Sequence, residues 1–274
     1  MVIDLSSSAV GVAVVKNSKT ELPEIISSAQ MSLVFEETPT ESELAETLLG
    51  KVKVCLTRIK KNISVDKIVI SHSGEITHQI THDHLIRYIE DEVCKYFGIK
   101  KGIHTLKFVD VLSKIVGQVF QNTPSVLLIT MNGENTNLQF VHLGKHGQSL
   151  NIPFGLNNVK RMTGPNLTLF VNDSLDAKTT RIINEAVSSS TKEFKDLWDK
   201  TEHFKIDSPY VVYLVSPTPF ENIAKTLIES ILPDTNITAF GVDNHFIKEL
   251  IRLPRNEPVN HKLAILGAFS NLLV

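Results

Sequence analysis

The sequence predicts an α/β fold in two halves, on three observations. Short apolar runs alternate with segments whose apolar residues recur every three or four positions, the signature of strands alternating with helices. On either side of residues 122–125 the chain opens with a strand, a turn and a second strand, giving expected lobes 1–124 and 125–274. The 274 residues, 42% hydrophobic and 21% charged, suffice for about two domains with cores of their own and exclude disordered, collagen-like and fibrous classes.

Residues 1–16 are mostly apolar, with Asp4 and Lys16 the only charges and a break at Ser6-Ser7-Ser8, which predicts two strands joined by a small-residue turn. A third strand is expected over 25–35. Thr40 and Glu43 then form a capping box, in which hydroxyl and carboxylate satisfy backbone amides at a helix start. Leu44, Leu48, Val52, Cys55 and Ile59 follow along one face. Ile68-Val69-Ile70 reads as a buried strand. Thr81 is placed to cap a helix that turns Leu85, Ile89, Val93 and Phe97 inward, and a further helix is expected over 106–120 through Val109, Leu112, Val116 and Val119.

The second half begins with Val126-Leu127-Leu128-Ile129, a short unbroken apolar run expected of a central strand. A polar turn, Asn132-Gly133-Glu134-Asn135, leads to strands over 138–143 and 148–152 with Gly144 at the bend, making a meander. Helical periodicity covers 157–162 and a long stretch over 173–204, where Ser188-Ser189-Ser190 is expected to mark a bend. A strand at 210–215, a helix on Phe220, Ile223, Leu227 and Ile231, a strand near 237–240, and helices near 244–252 and 261–273 complete the pattern.

Charge narrows the partners. Twenty-eight basic residues against thirty acidic give a net charge of −2, and basic clustering is limited to Lys60-Lys61 and Lys100-Lys101, which argues against nucleic acid. Cys55 and Cys94 are too few for a disulfide framework or a four-thiolate zinc site and read as buried thiols of a reducing compartment. No leader-like or membrane-spanning pattern is present, and the apolar 263–274 segment has no basic face, so the expectation is a cytoplasmic protein without direct membrane insertion. The Asn-x-Ser/Thr matches at Asn62, Asn166, Asn172 and Asn236 are then incidental.

Three segments carry a family resemblance. Val2-Ile3-Asp4-Leu5-Ser6-Ser7-Ser8-Ala9-Val10 resembles the first phosphate loop of the actin-like ATPases, in the PilM/FtsA-like form. The stretch from Leu127 to Asn137 is similar to the second phosphate loop, and Asn151-Ile152-Pro153-Phe154-Gly155-Leu156-Asn157-Asn158 resembles the entry to the second lobe of PilM-type proteins. The resemblance implies a two-lobed actin-like fold of ribonuclease H-like repeats. It also implies a nucleotide gripped between two hairpins, with strand-end aspartates holding Mg²⁺ through water. For the PilM-like members it implies capture of the N-terminal cytoplasmic peptide of a membrane protein.

Against that pattern the sequence has lost groups the chemistry needs. Asp4 stands at the first acid, but Ser6 replaces the turn glycine. Thr130 aligns with the second acid and Asn132 with its glycine, leaving Asn132 or Glu134 as substitutes only through a slip in register. The glycine pair of the adenosine loop aligns with Ser216-Pro217-Thr218, where proline fixes φ and removes an amide donor. Loss of one metal-ordering acid removes several kcal/mol of transition-state stabilisation while sparing a fold.

The expectation is therefore a degenerate actin-like scaffold or recruiting protein that does not hydrolyse ATP. It would have no catalytic residues, no resident cofactor or metal, and a protein partner in an inner-membrane assembly such as a type IV pilus machine, with membrane association through that partner. Self-association is left open. If Mg-ATP binds, the residues to hold it are Asp4, Ser6, Ser7, Ser8, Asn132, Gly133 and Thr136. The competing reading is a working ATPase or small-molecule phosphotransferase using Asp4, Ser7, Asn132 and Thr136. A third is an unrelated α/β domain, whose strand order would lack two similar halves.

Plainer readings stand beside these. Ser6 to Ser8 form a turn on their own account, since serine hydroxyls bond nearby backbone. His72, His78, His82 and His84 with Asp83 fit no standard metal spacing. Asp110, Lys114 and Gln118 lie where related ATPases orient water, but equally fit an exposed helix face. Phe194, Leu197 and Trp198 are expected in the core, and Pro217-Thr218-Pro219 with the serine-rich helix could shape a peptide groove.

Overall fold

The apolar start of the chain forms β1 (Val2–Leu5), buried at every residue, and folds back as β2 (Ala9–Lys16) and β3 (Glu24–Ser32) in an antiparallel meander. The computed structural model describes residues 1–6, 8–17, 21–33, 35, 37, 39–59, 64–73, 82–98, 103–123, 125–163, 177–201, 210–216, 221–241, 244–254 and 259–270. It divides into two compact units. Unit 1 comprises Met1–Leu33, Pro39–Val119 and Phe240–Val274; unit 2 comprises Val34–Thr38 and Phe120–Ala239.

In unit 1 the meander is followed by α1 (Glu41–Arg58), β4 (Ile68–His72), α2 (His82–Phe97), β5 (Ile103–Lys107) and α3 (Phe108–Val119). Thr40 caps α1 as its sequence predicts, its hydroxyl accepting from Glu43 N while Glu43 returns a carboxylate to the Thr40 amide at 2.9 Å. The sheet order is β3-β2-β1-β4-β5, with β1, β4 and β5 parallel. β5 corrects the sequence reading, which ran a helix from residue 106: Leu106 and Lys107 close a strand, and the helix begins at Phe108.

The chain's last described segment belongs to this unit. It forms α7 (His245–Leu250) and α8 (His261–Ser270), and all ten residues of α8 are buried. α8 packs on β1, β2 and β3 and beside α3, so its apolar run Leu263–Phe269, buried at every residue, is that of a core helix. A Cβ on Gly11 would lie 3.0 Å from the Leu263 side chain; the missing side chain is what lets α8 approach β2. Arg252 bridges to the outer edge of β3, where Ile25 N donates to its carbonyl at 2.9 Å.

Unit 2 repeats the plan. β6 (Ser125–Met131), β7 (Thr136–His142) and β8 (Lys145–Ile152) form a meander, followed by α4 (Leu156–Thr163), α5 (Ala177–Asp199), β9 (Val211–Val215), α6 (Glu221–Ile231) and β10 (Ile237–Ala239). The order is β10-β9-β6-β7-β8, with β6, β9 and β10 parallel. Read from the meander outward, both sheets have the same order and the same strand directions. β6 is central and buried at all seven residues, as its unbroken apolar run predicts. α5 runs as one helix through Ser188-Ser189-Ser190. The Phe194 ring packs tilted against Phe154, centroids 5.4 Å apart, in a core that Leu197 and Trp198 flank.

Candidate functional site

The first hairpin is built by its own serines. Leu5 pairs with Val10 at the end of the ladder, and Ser6 N donates to Ala9 O at 3.1 Å to close the turn. The Ser6 hydroxyl donates to Ala9 O (3.1 Å), accepts from Ala9 N (3.2 Å) and lies 3.1 Å from the Ser8 hydroxyl. The Ser6 oxygen thus supplies the turn's side-chain bonds. The hairpin is fixed to its neighbours by Ser73 N donating to Leu5 O (3.0 Å) and Leu33 N donating to Ser8 O (2.9 Å). Ser7 lies outside the described residues.

Asp4 is buried, 1% exposed, at the carboxyl end of β1. It pairs with Gly11 on β2 and Ser71 on β4. Directly opposed residues share a sheet face, and Gly11 faces Leu263, so Asp4 stands on the side of the sheet that α8 covers. Ser71 is fully buried there, with no hydrogen-bond partner for its hydroxyl among the described residues.

The second hairpin has the same frame and different chemistry. Met131 pairs with Thr136 as Leu5 does with Val10, and Asn132 N donates to Asn135 O at 2.8 Å as Ser6 N does to Ala9 O. Counting from these closing pairs, Thr130 occupies in β6 the place that Asp4 occupies in β1. Thr130 pairs with Asn137 and Val215 as Asp4 pairs with Gly11 and Ser71. The internal repeat thus places a neutral hydroxyl where its counterpart carries a carboxylate.

The polar groups of this hairpin are engaged within unit 2. Asn132 Nδ2 donates to Asn135 Oδ1 (2.9 Å), and Thr136 Oγ1 donates to Phe154 O (2.8 Å). The carbonyls of Asn132 and Gly133 accept from Leu156 N (2.9 Å) and Asn157 N (2.8 Å), the first amides of α4. A helix start offers amides to anions; here two of them hold hairpin carbonyls. Glu134 Oε1 accepts from Asn157 Nδ2 at 2.8 Å and from Arg161 Nη2 at 2.5 Å, so the Glu134 carboxylate is held by α4.

Gly155 lies in a segment that carries the family resemblance, but its contact with the second hairpin was not read from the sequence. Its Cβ would stand 2.5 Å from Gly133 O and 2.6 Å from Asn132 O, so only glycine lets α4 reach the hairpin. The signal was present in the Pro153-Phe154-Gly155 turn into a helix, but its target lies on another hairpin. Asn157 and Arg161 were missed for the same reason.

The remaining candidates separate. Ser216, after β9, is buried with its hydroxyl lacking a hydrogen-bond partner among the described residues; Pro217, Thr218 and Pro219 fall outside them. Asp110, Lys114 and Gln118 form the exposed face of α3, with the Lys114 ammonium 5.6 Å from the Phe269 ring centre. His72 is buried in β4, whereas His78 and the side chains at 82–84 lie outside the described residues. No group of three metal-ligating side chains occurs among the described residues. Cys55 is buried and burial pushes its thiol up to about 11; Cys94 is half-buried. No helix among the described residues is long and apolar enough to cross a membrane.

The sequence matches no family model and no curated protein. Solved structures do resemble it. A PilM-PilN type IV pilus biogenesis complex aligns with a TM-score of 0.57 at 12% identity, covering 98% of this chain and 96% of that one. The ethanolamine utilization protein EutJ from Carboxydothermus hydrogenoformans aligns with a TM-score of 0.51 at 10% identity, covering 98% and 88%. Both neighbours have the actin-like ATPase fold. Together with two five-stranded mixed sheets of identical order, they establish a two-lobed actin-like α/β fold, with the two similar halves that an unrelated α/β domain was expected to lack.

Proposed function

We propose that this chain is a non-hydrolysing actin-like scaffold that recruits a protein partner to an assembly at the inner membrane. The observation that carries the reading is Thr130 in the place that Asp4 holds in the other repeat. Mg²⁺-assisted phosphoryl transfer needs carboxylates at fixed strand ends to order the metal and the attacking water; a threonine there cannot offer the charge. The second hairpin adds support, because its side chains and two carbonyls are already bonded within unit 2. If a nucleotide binds at all, Asp4, Ser6, Ser7, Ser8, Asn132, Gly133 and Thr136 are the residues to contact it.

A protein partner is supported by the fold alone. One neighbour was solved as a PilM-PilN complex, and a similar role here would have the chain hold a cytoplasmic peptide of a membrane protein in a type IV pilus-like machine. Membrane association would then come through that partner. The working-ATPase reading keeps Asp4 but lacks a second strand-end carboxylate in the described hairpins. The test is phosphate release from Mg-ATP by the full chain: the scaffold reading expects a rate equal to that of Asp4→Ala, and a rate well above that control would favour the enzyme.

A further inference from the structure

We propose that Glu134 is a tethered occupant of an oxyanion site formed by Arg161 and Asn157, and that it keeps that site closed to free phosphate. The inference uses the geometry of unit 2 alone and stands whether or not the scaffold reading holds. Arg161 and Asn157 lie one turn apart on α4 and point two donors at one atom, Glu134 Oε1, at 2.5 and 2.8 Å. The Arg161 and Glu134 side chains are only 20% and 19% exposed, so the bond is partly shielded from water, where charge-assisted hydrogen bonds are strong.

The carboxylate leaves part of the guanidinium unused. Arg161 Nε is buried with no hydrogen-bond partner among the described residues, although guanidinium presents its donors as a fork suited to two oxygens of one anion. A tetrahedral oxyanion in the place of the Glu134 carboxylate could present separate oxygens to Arg161 Nη2, Arg161 Nε and Asn157 Nδ2. The site does not depend on the amides of α4, which hold the carbonyls of Asn132 and Gly133. Glu134 sits on the four-residue turn of the hairpin, so its effective concentration at Arg161 is at least millimolar, enough to exclude a free anion of comparable affinity.

The test compares the wild-type chain, Glu134→Ala and Glu134→Ala/Arg161→Ala in inorganic phosphate and in chloride of matched ionic strength. The double variant removes the general stabilising effect of phosphate from the comparison. Glu134→Ala should melt about 3–5 °C higher at phosphate ten times its dissociation constant, with the wild type and the double variant unmoved by comparison. Acetate, with two oxygens, should shift it less. A Glu134→Ala response no larger than that of the double variant overturns the proposal, as does a wild-type response that Arg161→Ala abolishes. Should Glu134→Ala fail to fold, Glu134→Gln, which keeps the shape and both accepted bonds, carries the same comparison with a smaller expected shift.

Discussion

At Gly155 a single hydrogen in place of a methyl group decides whether the second hairpin can meet α4. The carbonyls of Gly133 and Asn132 are backbone and cannot rotate away from a Cβ at 2.5 and 2.6 Å, so Gly155→Ala should lower the unfolding free energy by about 1–3 kcal/mol, read as a lower urea midpoint at unchanged slope. No loss of stability would mean that the contact is not made. The residues legible in the sequence were those whose role is local: Ser6 in its turn, Thr40 and Glu43 in their capping box, Asp4 at a strand end. Gly155, Asn157 and Arg161 were not, because their partners belong to a turn far upstream and nothing in their own neighbourhood encodes that meeting.

Elements read from periodicity held where one period dominated. β6 and α1 are such cases, the first an unbroken apolar run and the second a clean stripe. β5 failed because Ile103 to Lys107 runs directly into α3 without a turn residue, and Leu106 falls in step with Val109 and Leu112, so the helical period extends backward across the strand. The place of α8 was equally hidden: its composition announces burial, but its partners are strands at the other end of the sequence. That packing is testable by a double-mutant cycle. Leu263→Ala should cost about 2–5 kcal/mol by emptying a fully buried site, and Gly11→Ala should cost less in that background than in the wild type, since the added Cβ then meets space instead of Leu263. Strict additivity of the two would contradict direct packing of α8 on β2.

Across the whole chain, one strand order occurs twice and the chemistry does not. The repeat of three antiparallel strands followed by two parallel ones is built by apolar patterning, which survives substitution at strand ends, whereas a metal site depends on single carboxylates. This is why the fold could be reached from the sequence through weak motifs in the right order, while the fate of the second hairpin needed its hydrogen bonds. The central proposal is that the second hairpin lacks the strand-end carboxylate that a Mg-ATP site needs, Thr130 holding in β6 the place that Asp4 holds in β1. Isothermal titration of Mg-ATP into the full chain tests it most directly. The account predicts no binding heat beyond dilution; micromolar binding that Asp4→Ala abolishes would contradict it.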